Sequence, residues 1–521
     1  MFRGIDLQCR VCYQGDLENR LSARHESNAV KSVIVIGAGL GGLATALRLH
    51  HRGFDVTVVE KLSRIGGRCG VIARDGFRID TGPTILVMKE AFEETYRAIG
   101  KSIDERVELI RIDPNYRVYY HDDTSFDLHA SMPDMAEEVE RIERGAGERY
   151  FQFLGDSSRK YELGMEFVTR NYDRVTDLAN PKAGFRLLRT RSYRKLYDDV
   201  SRYFYSDKLR KAFSFHSMFL GLSPFQALAM YSLITYADLA RGMWYPKGGI
   251  GTLVNDIGTL AQESGVNIQL NSPVAEILLT DGRVDGARLE SGEEIRADVV
   301  VSNADLPYTY RSLIRSHQRP RYSDGKLDSM DYACSGYLLY LALDRTLPRL
   351  KHQALYFAED YRGNLDDIFV TGRIPEDPSF HLNYPVASDP SIAPDGKSTV
   401  YALAPIPNLK ARIDWEKAGP VVRDRLLDRI SRIAGVDIRE HIVWEEQYDP
   451  RNFARDINAV HGTAFGSLAH GFFQSAYFRP HNRDRDIDGL YFVGQATYPG
   501  IGMPMVLISA RLVAERIIEE C

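Results

Sequence analysis

The run Val33-Ile-Val-Ile36 is short and unbroken, the pattern of a strand buried on both faces. A glycine-rich turn follows it, then a stretch that reads as helix, then Asp55-Val-Thr-Val-Val-Glu60, a second apolar run ending in a carboxylate. This alternation returns twice. Tyr245-Pro-Lys-Gly248-Gly249-Ile-Gly251 turns into Thr252-Leu-Val-Asn-Asp-Ile-Gly-Thr-Leu, with apolar residues at helical spacing. The runs Val266-Asn-Ile-Gln-Leu, Val274-Ala-Glu-Ile-Leu-Leu and Val284-Asp-Gly-Ala-Arg-Leu alternate and are split by Asn-Ser-Pro and Asp281-Gly282 turns, which predicts a β meander. Asp298-Val-Val-Val-Ser-Asn-Ala304 predicts a buried parallel strand. Gly489-Leu-Tyr-Phe-Val-Gly494 predicts a last short strand, followed by a glycine and proline loop and a helix from Val506 to Glu520. Between these returns, residues about 130 to 240 predict helices. Ser335-Gly-Tyr-Leu-Leu-Tyr-Leu-Ala-Leu predicts the central strand of a second sheet, and Ser398-Thr-Val-Tyr-Ala-Leu-Ala is placed to pair with it.

The fold class this predicts is α/β. A Rossmann-like, dinucleotide-binding domain is assembled from separated segments, with an α+β substrate domain interleaved. The expected boundaries are a polar extension over 1–30, the nucleotide domain over 31–130, 241–330 and 461–521, and the second domain over 131–240 (helical) and 331–460 (mixed sheet). In the first unit, Gly37 permits the tight turn, Gly39 lets a pyrophosphate approach the helix N-terminus, and Gly42 lets the helix pack on the sheet. Glu60 stands near the offset at which a carboxylate accepts from a ribose diol. Lys61-Leu-Ser-Arg-Ile-Gly66-Gly67-Arg68 then adds a second glycine turn, in which Arg68 offers a fork of donors to a phosphate. Gly494-Gln-Ala-Thr497-Tyr-Pro-Gly-Ile-Gly502-Met503-Pro504 is a third glycine turn before a helix, suited to a pyrophosphate or an electron-rich ring edge.

Composition narrows this only a little. A chain of 521 residues with 44% hydrophobic and 26% charged residues is long enough for more than one core. Its net charge of −5 offers nothing to a nucleic acid. The five cysteines are odd in number and scattered, which points to a reducing compartment without a disulfide framework. Cys9-Arg-Val-Cys12 lacks the second pair a zinc site needs, so no metal is expected. Residues 1–30 contain no apolar run and read as neither a secretory nor a transit peptide. No stretch of about 20 apolar residues predicts a spanning helix. Surface attachment stays open, because Lys182, Arg186, Arg189, Arg191, Arg194 and Lys195 interleave with Phe185, Leu187, Leu188, Tyr193, Leu196 and Tyr197. Such a segment suits an anionic bilayer or, equally, a solvated helix face. Phe213 to Ala240 is rich in Phe, Met and Leu and reads as core, with a tunnel wall or a membrane-dipping hairpin as alternatives.

The pairing of the first glycine turn with Gly66-Gly67-Arg68 resembles the FAD-binding half of glutathione-reductase-like flavoproteins, in their amine-oxidase and desaturase branch. Leu355-Tyr-Phe-Ala-Glu-Asp-Tyr361, Asp389-Pro-Ser-Ile-Ala-Pro-Asp-Gly-Lys397, His461-Gly-Thr-Ala-Phe-Gly466 and Gln474-Ser-Ala-Tyr-Phe-Arg-Pro-His-Asn-Arg483 resemble the bacterial-type phytoene and carotenoid desaturases, over roughly residues 31 to 520. The resemblance implies bound FAD and desaturation of a long isoprenoid polyene. It implies cofactor contacts by Leu40, Gly41, Lys61, Thr84, Val274, Met503 and Val506 beside Gly37, Gly39, Gly42, Glu60, Gly67, Arg68, Gly494, Thr497, Gly502 and Pro504. It also implies Asp156 and Arg159 as acid–base or cation-stabilising residues, and a cytoplasmic protein held peripherally at the membrane, with a quinone or oxygen as electron acceptor. The last loop departs from the family pattern at Tyr498 and Met505, which leaves open the substrate and the number of steps. The alternatives are another carotenoid-modifying oxidoreductase (a C30 desaturase, a 3,4-desaturase, an isomerase or an end-group oxidase) and a non-catalytic FAD-bound isoprenoid carrier.

Overall fold

The computed structural model describes residues 30–173, 181–469, 474–475 and 478–521. The expected polar extension, the Cys9/Cys12 pair and Ala476-Tyr477 of the last family-like string lie outside the described residues.

A five-stranded sheet runs in the order Leu490–Phe492, Val299–Ser302, Ser32–Ile36, Asp55–Val59, Asn267–Gln269, and every pairing in it is parallel. Its strands come from three separated parts of the chain, as the apolar runs predicted. The helices Leu40–His51, Ile250–Ser264 and Met503–Glu520 bury Leu43, Leu47, Leu253, Ile257, Leu507 and Val513 against Val33, Val35, Val56 and Val58 on one face of the sheet. The run at 266–270 departs from its prediction. It does not join the meander but forms an edge strand, with Thr57 beside Asn267. The meander is Val274–Thr280, Arg283–Leu289 and Glu294–Arg296. Alternation alone does not say which neighbour a strand will take.

The second sheet has seven strands in the order Ile442–Tyr448, Ser335–Leu343, Ser398–Ile406, Phe380–Asn383, Gln353–Phe357, Tyr116–Tyr120, Ser125–Leu128. Ser335–Leu343 is buried along its whole length and pairs with Ser398–Ile406, as its unbroken apolar run predicts. The Tyr116–Leu128 hairpin sits here too, because Tyr116–Tyr120 pairs in parallel with Gln353–Phe357. A boundary at 130 therefore falls after two strands that belong to the second sheet. Helices between residues 132 and 239 pack on this end around Tyr150, Phe153, Phe204 and Phe213. Within them, Lys160 donates to Asp199 at 2.7 Å with both side chains buried.

One carboxylate ties the Phe77–Asp80 strand, which pairs with Val71–Arg74 in a separate hairpin, to the first layer. Asp80 accepts from the N–H groups of Ile250 and Gly251 at 2.7 and 2.9 Å, capping the Ile250–Ser264 helix from a distant strand. Burial pushes its carboxyl up to about 6, against the pull of those two N–H groups and of Arg78. The folded chain thus holds this proton more tightly than the unfolded one. Its contribution to stability is fully present below the ordinary carboxyl pKa near 4 and is lost as pH rises to 6, on the order of 2–3 kcal/mol. Melting curves between pH 4 and 7 should show wild type losing stability relative to Asp80→Asn over this window. A constant difference would refute the coupling.

Candidate active site

The chain leaves the Ser32–Ile36 strand through Gly37, whose φ of +99° lies in the region that favours glycine and whose N–H bonds the Val59 carbonyl. The helix that follows begins at Leu40, and its N-cap, Gly39, provides no side-chain cap. A Cβ on Gly39 would stand 2.8 Å from the Asn303 Oδ1, and one on Gly42 would drive into the Gly37 carbonyl. The second turn folds back on the first. Gly66 N–H donates to the Ala38 carbonyl, and a Cβ on Gly67 would lie 3.4 Å from the Gly39 Cα. The result is a bare, glycine-walled cradle at a helix N-terminus, the surroundings a pyrophosphate requires. At its edge the Glu60 carboxylate accepts from Ala38 N–H at 2.8 Å and Leu62 N–H at 2.9 Å, which leaves lone pairs for a diol.

This cradle opens into a single cavity of about 1100 Å³. Gly37, Gly39, Leu40, Gly41, Glu60, Lys61, Gly67, Arg68, Thr84, Val274, Gly494, Gly502, Met503, Pro504 and Val506 all lie on its wall. Four expected residues have other duties. Gly42 packs behind the turn. Thr497 is buried, with its hydroxyl on the Pro480 carbonyl at 2.8 Å, and does not line the cavity. Arg68 lines it, but its donors are taken. It makes a two-pronged pair with Asp305 at 3.1 and 3.3 Å, and the side-chain oxygen of Gln495 accepts from it at 2.7 and 2.8 Å. The buried Asp305 carboxylate needs that counter-charge, so Arg68 locks the turn instead of presenting a free fork to phosphate. Lys61 likewise spends its ammonium on the Arg455 carbonyl and Asn458 Oδ1.

Beyond the cradle the wall becomes apolar. Leu338, Tyr340, Tyr401 and Leu403 face in from the second sheet, and Phe219, Leu220, Leu228, Met230, Leu233 and Ile234 from the helical layer. The Phe213–Ala240 stretch is thus tunnel wall as well as core. At the far end, Leu187, Leu188, Tyr193 and Phe478 form a mouth, with Leu188 66%, Tyr193 65% and Phe478 53% exposed. His381 also lies on this wall. Its Nε2 lies 2.6 Å from the Gln353 Oε1, and burial pushes its pKa down to about 3. It is a neutral imidazole at physiological pH and a poor proton acceptor.

Asp156 and Arg159 are not brought to the cavity. They form an i,i+3 ion pair at 2.5 Å on the outer face of the Ala146–Val168 helix, where Arg159 is largely exposed and Asp156 also takes the Tyr203 hydroxyl. Their partners are each other and Tyr203, and the structure does not bring them to the cavity. No group of three or more His, Cys, Asp or Glu residues fit to hold a metal exists among the described residues.

The profile of the flavin-containing amine oxidoreductases matches residues 40–518. A zeta-carotene-forming phytoene desaturase of Myxococcus xanthus is 42% identical over 490 residues, which cover 94% of this chain and 94% of that protein. A carotenoid 3,4-desaturase of Haloarcula japonica is 36% identical, with 94% of this chain and 98% of that protein covered. The chain belongs to the phytoene and carotenoid desaturases of this flavin-dependent family. It is therefore an FAD oxidoreductase acting on CH–CH groups. Among solved structures, an oxidoreductase from Methanosarcina mazei superposes with a TM-score of 0.63 at 18% identity, over 93% of this chain and 100% of that one. Putrescine oxidase gives 0.62 at 14% identity, over 94% and 99%. These two speak for the fold alone.

The desaturase site also depends on residues that the motifs do not reveal. Asn303, at the tip of the Val299–Ser302 strand, accepts from Gly42 N–H at 2.9 Å and donates to the Val493 carbonyl at 3.1 Å, joining all three segments of the cradle. Asp238, on the cavity wall, is fully buried between Asn115 Nδ2 at 2.8 Å and His216 Nε2 at 3.1 Å. The two departures from the family pattern also find places. The Tyr498 hydroxyl donates to the Phe167 carbonyl, tying the last loop to the helical layer, and Met505 stands on the cavity wall.

Proposed function

We propose that this chain is an FAD-dependent desaturase that forms C=C bonds in a long isoprenoid polyene, with phytoene as its substrate. The observation that carries the reading is the continuous apolar cavity joining the glycine cradle to an apolar mouth. An extended hydrocarbon fits such a shape, whereas a small polar amine would leave most of it empty. The donor-rich turns at Gly39 and Gly66-Gly67 would hold the pyrophosphate of FAD, Glu60 its adenosine ribose and Val274 its adenine side. Thr84, Gly494 and the Gly502-Met503-Pro504 turn would hold the ring system.

Bound FAD supplies the hydride acceptor that an unactivated allylic C–H demands. The protein's own residues hold the chain in one register and keep water out. Hydride would pass with its two electrons to bound FAD, and the neighbouring carbon would give its proton to a carboxylate, to water or to the flavin itself, which leaves one new double bond. Burial makes His381 a weak base, so it is not that acceptor. Two-electron removal by a quinone or by oxygen would complete the cycle.

Phe185, Leu188, Tyr193 and Phe478 are exposed around the mouth. With Arg189, Arg191, Arg194 and Lys195 beside them, they support peripheral docking on an anionic bilayer, from which a polyene would enter directly. No helix among the described residues is long and apolar enough to cross a membrane.

Expression in cells that accumulate phytoene, followed by pigment chromatography, tests the reading. Coloured products with more conjugated double bonds than phytoene are expected. Cells that stay colourless and retain phytoene would reject it. Turnover of only a C30 or an end-group substrate would move the assignment to those desaturases.

A further inference from the structure

Arg479 belongs to the Gln474–Arg483 string, and nothing in the reaction as described uses it. It is fully buried and is the largest of the fully buried side chains. Its donors go to main-chain carbonyls: Nε to Thr497 at 3.1 Å, Nη1 to Gln474 at 3.3 Å, and Nη2 to Leu468 at 3.4 Å and to Gln495. All four are neutral dipoles. Burying a guanidinium without a carboxylate is costly, and carbonyls satisfy its hydrogen bonds without cancelling its charge. Burial brings it down only to about 10, so it remains a cation at neutral pH.

Two of these carbonyls, Gln495 and Thr497, belong to the loop that follows Gly494 and leads through Gly502 into the Met503–Glu520 helix. Gln495 is gripped twice, by Arg479 at its carbonyl and by Arg68 at its side-chain oxygen. The acid paired within this cluster is Asp305, on Arg68. Two guanidiniums share one carboxylate, and the N-terminus of an 18-residue helix points its positive end to the same place. The back of this loop therefore carries net positive charge in a dry environment, where charge acts at longer range than in water.

We propose that Arg479 pins the Gly494–Gly502 loop and supplies an unneutralised cation that favours the reduced, anionic form of FAD bound in front of it. This rests on the placement of FAD in the cavity given above. The consequence is a cofactor with a greater appetite for hydride, which suits a substrate whose C–H bonds have no activating group. Arg479 is a positioning residue, acting through the loop and through its field.

The test is the midpoint potential of bound FAD, measured anaerobically against a reference dye during stepwise dithionite reduction, in wild type, Arg479→Gln, Arg479→Lys and Asp305→Asn. Arg479→Gln should lower the potential by at least 30 mV, a tenfold shift in the two-electron equilibrium. Asp305→Asn, which removes the negative charge, should raise it. Arg479→Lys should keep it near the wild-type value while holding FAD less tightly. If Arg479→Gln retains FAD at an unchanged potential, or Asp305→Asn moves in the same direction as Arg479→Gln, the proposal falls and Arg479 is only a brace. If Arg479→Gln cannot hold FAD, a potential in Asp305→Asn that fails to rise overturns it alone. Wild type that neither carries nor binds FAD would instead reject the placement of the cofactor.

Discussion

Gly42→Val should yield a protein that folds poorly and carries no flavin. Any Cβ here drives into the carbonyl of Gly37, and a branched side chain also meets Val35 and the Asn303 Oδ1 that accepts the Gly42 N–H. Neither neighbour can give way, since one is backbone in a tight turn and the other bridges two further segments. Overpacking of this kind costs about 1–3 kcal/mol. The larger loss is functional, because the helix N-terminus must retreat from the cradle. The readouts are flavin absorbance of the purified protein and its melting temperature with and without added FAD. Gly155→Ala is the control, a helical glycine with nothing within 4 Å of an added Cβ. It should keep its flavin and gain about 0.5–1 kcal/mol. A Gly42→Val protein that binds FAD normally would mean that the cradle is elsewhere.

Leu403→Arg should do the opposite, leaving the flavin in place and removing the polyene reaction. Leu403 lies on the Ser398–Ile406 strand of the second sheet and lines the cavity. A guanidinium there either remains in the tunnel, blocking it and costing desolvation when an apolar chain enters, or forces the strand to shift. A loss of at least a hundredfold in product formation is expected, on the order of 3 kcal/mol, with FAD per protein unchanged. Leu403→Met, which conserves volume, should stay within a few-fold of wild type. Desaturation that survives Leu403→Arg would show that the substrate follows another path.

These two variants divide along the line between what the sequence disclosed and what it hid. The Gly37–Gly42 and Gly66–Gly67 turns were legible because their requirements are local: positive φ, absence of Cβ and a helix start within a few residues. The strands were legible for the same reason, since an unbroken apolar run such as Ser335–Leu343 describes its own burial. Partnership was not. The Tyr116–Leu128 hairpin chose a strand more than 200 residues away, and the 266–270 run took the edge of the parallel sheet. Arg68 was read as a phosphate ligand because Asp305 and Gln495, its actual partners, stand hundreds of residues downstream. Asn303 is one polar residue after an apolar strand and has no motif of its own. Asp156 and Arg159 came from family position alone, and their geometry places them on an outer surface.

The bridge made by Asn303 also has a consequence in time. It joins a helix that begins at residue 40 to a carbonyl at residue 493, across a strand that ends at residue 302. During synthesis the first glycine turn leaves the ribosome long before either partner exists, and the cradle stays open until nearly the whole chain has been made. Contacts so distant in sequence form late and leave apolar surface uncovered meanwhile. Cofactor loading is then expected to follow completion of the chain, and the half-built tunnel is a stretch of sticky surface for which a chaperone or a nearby bilayer would be the natural shelter.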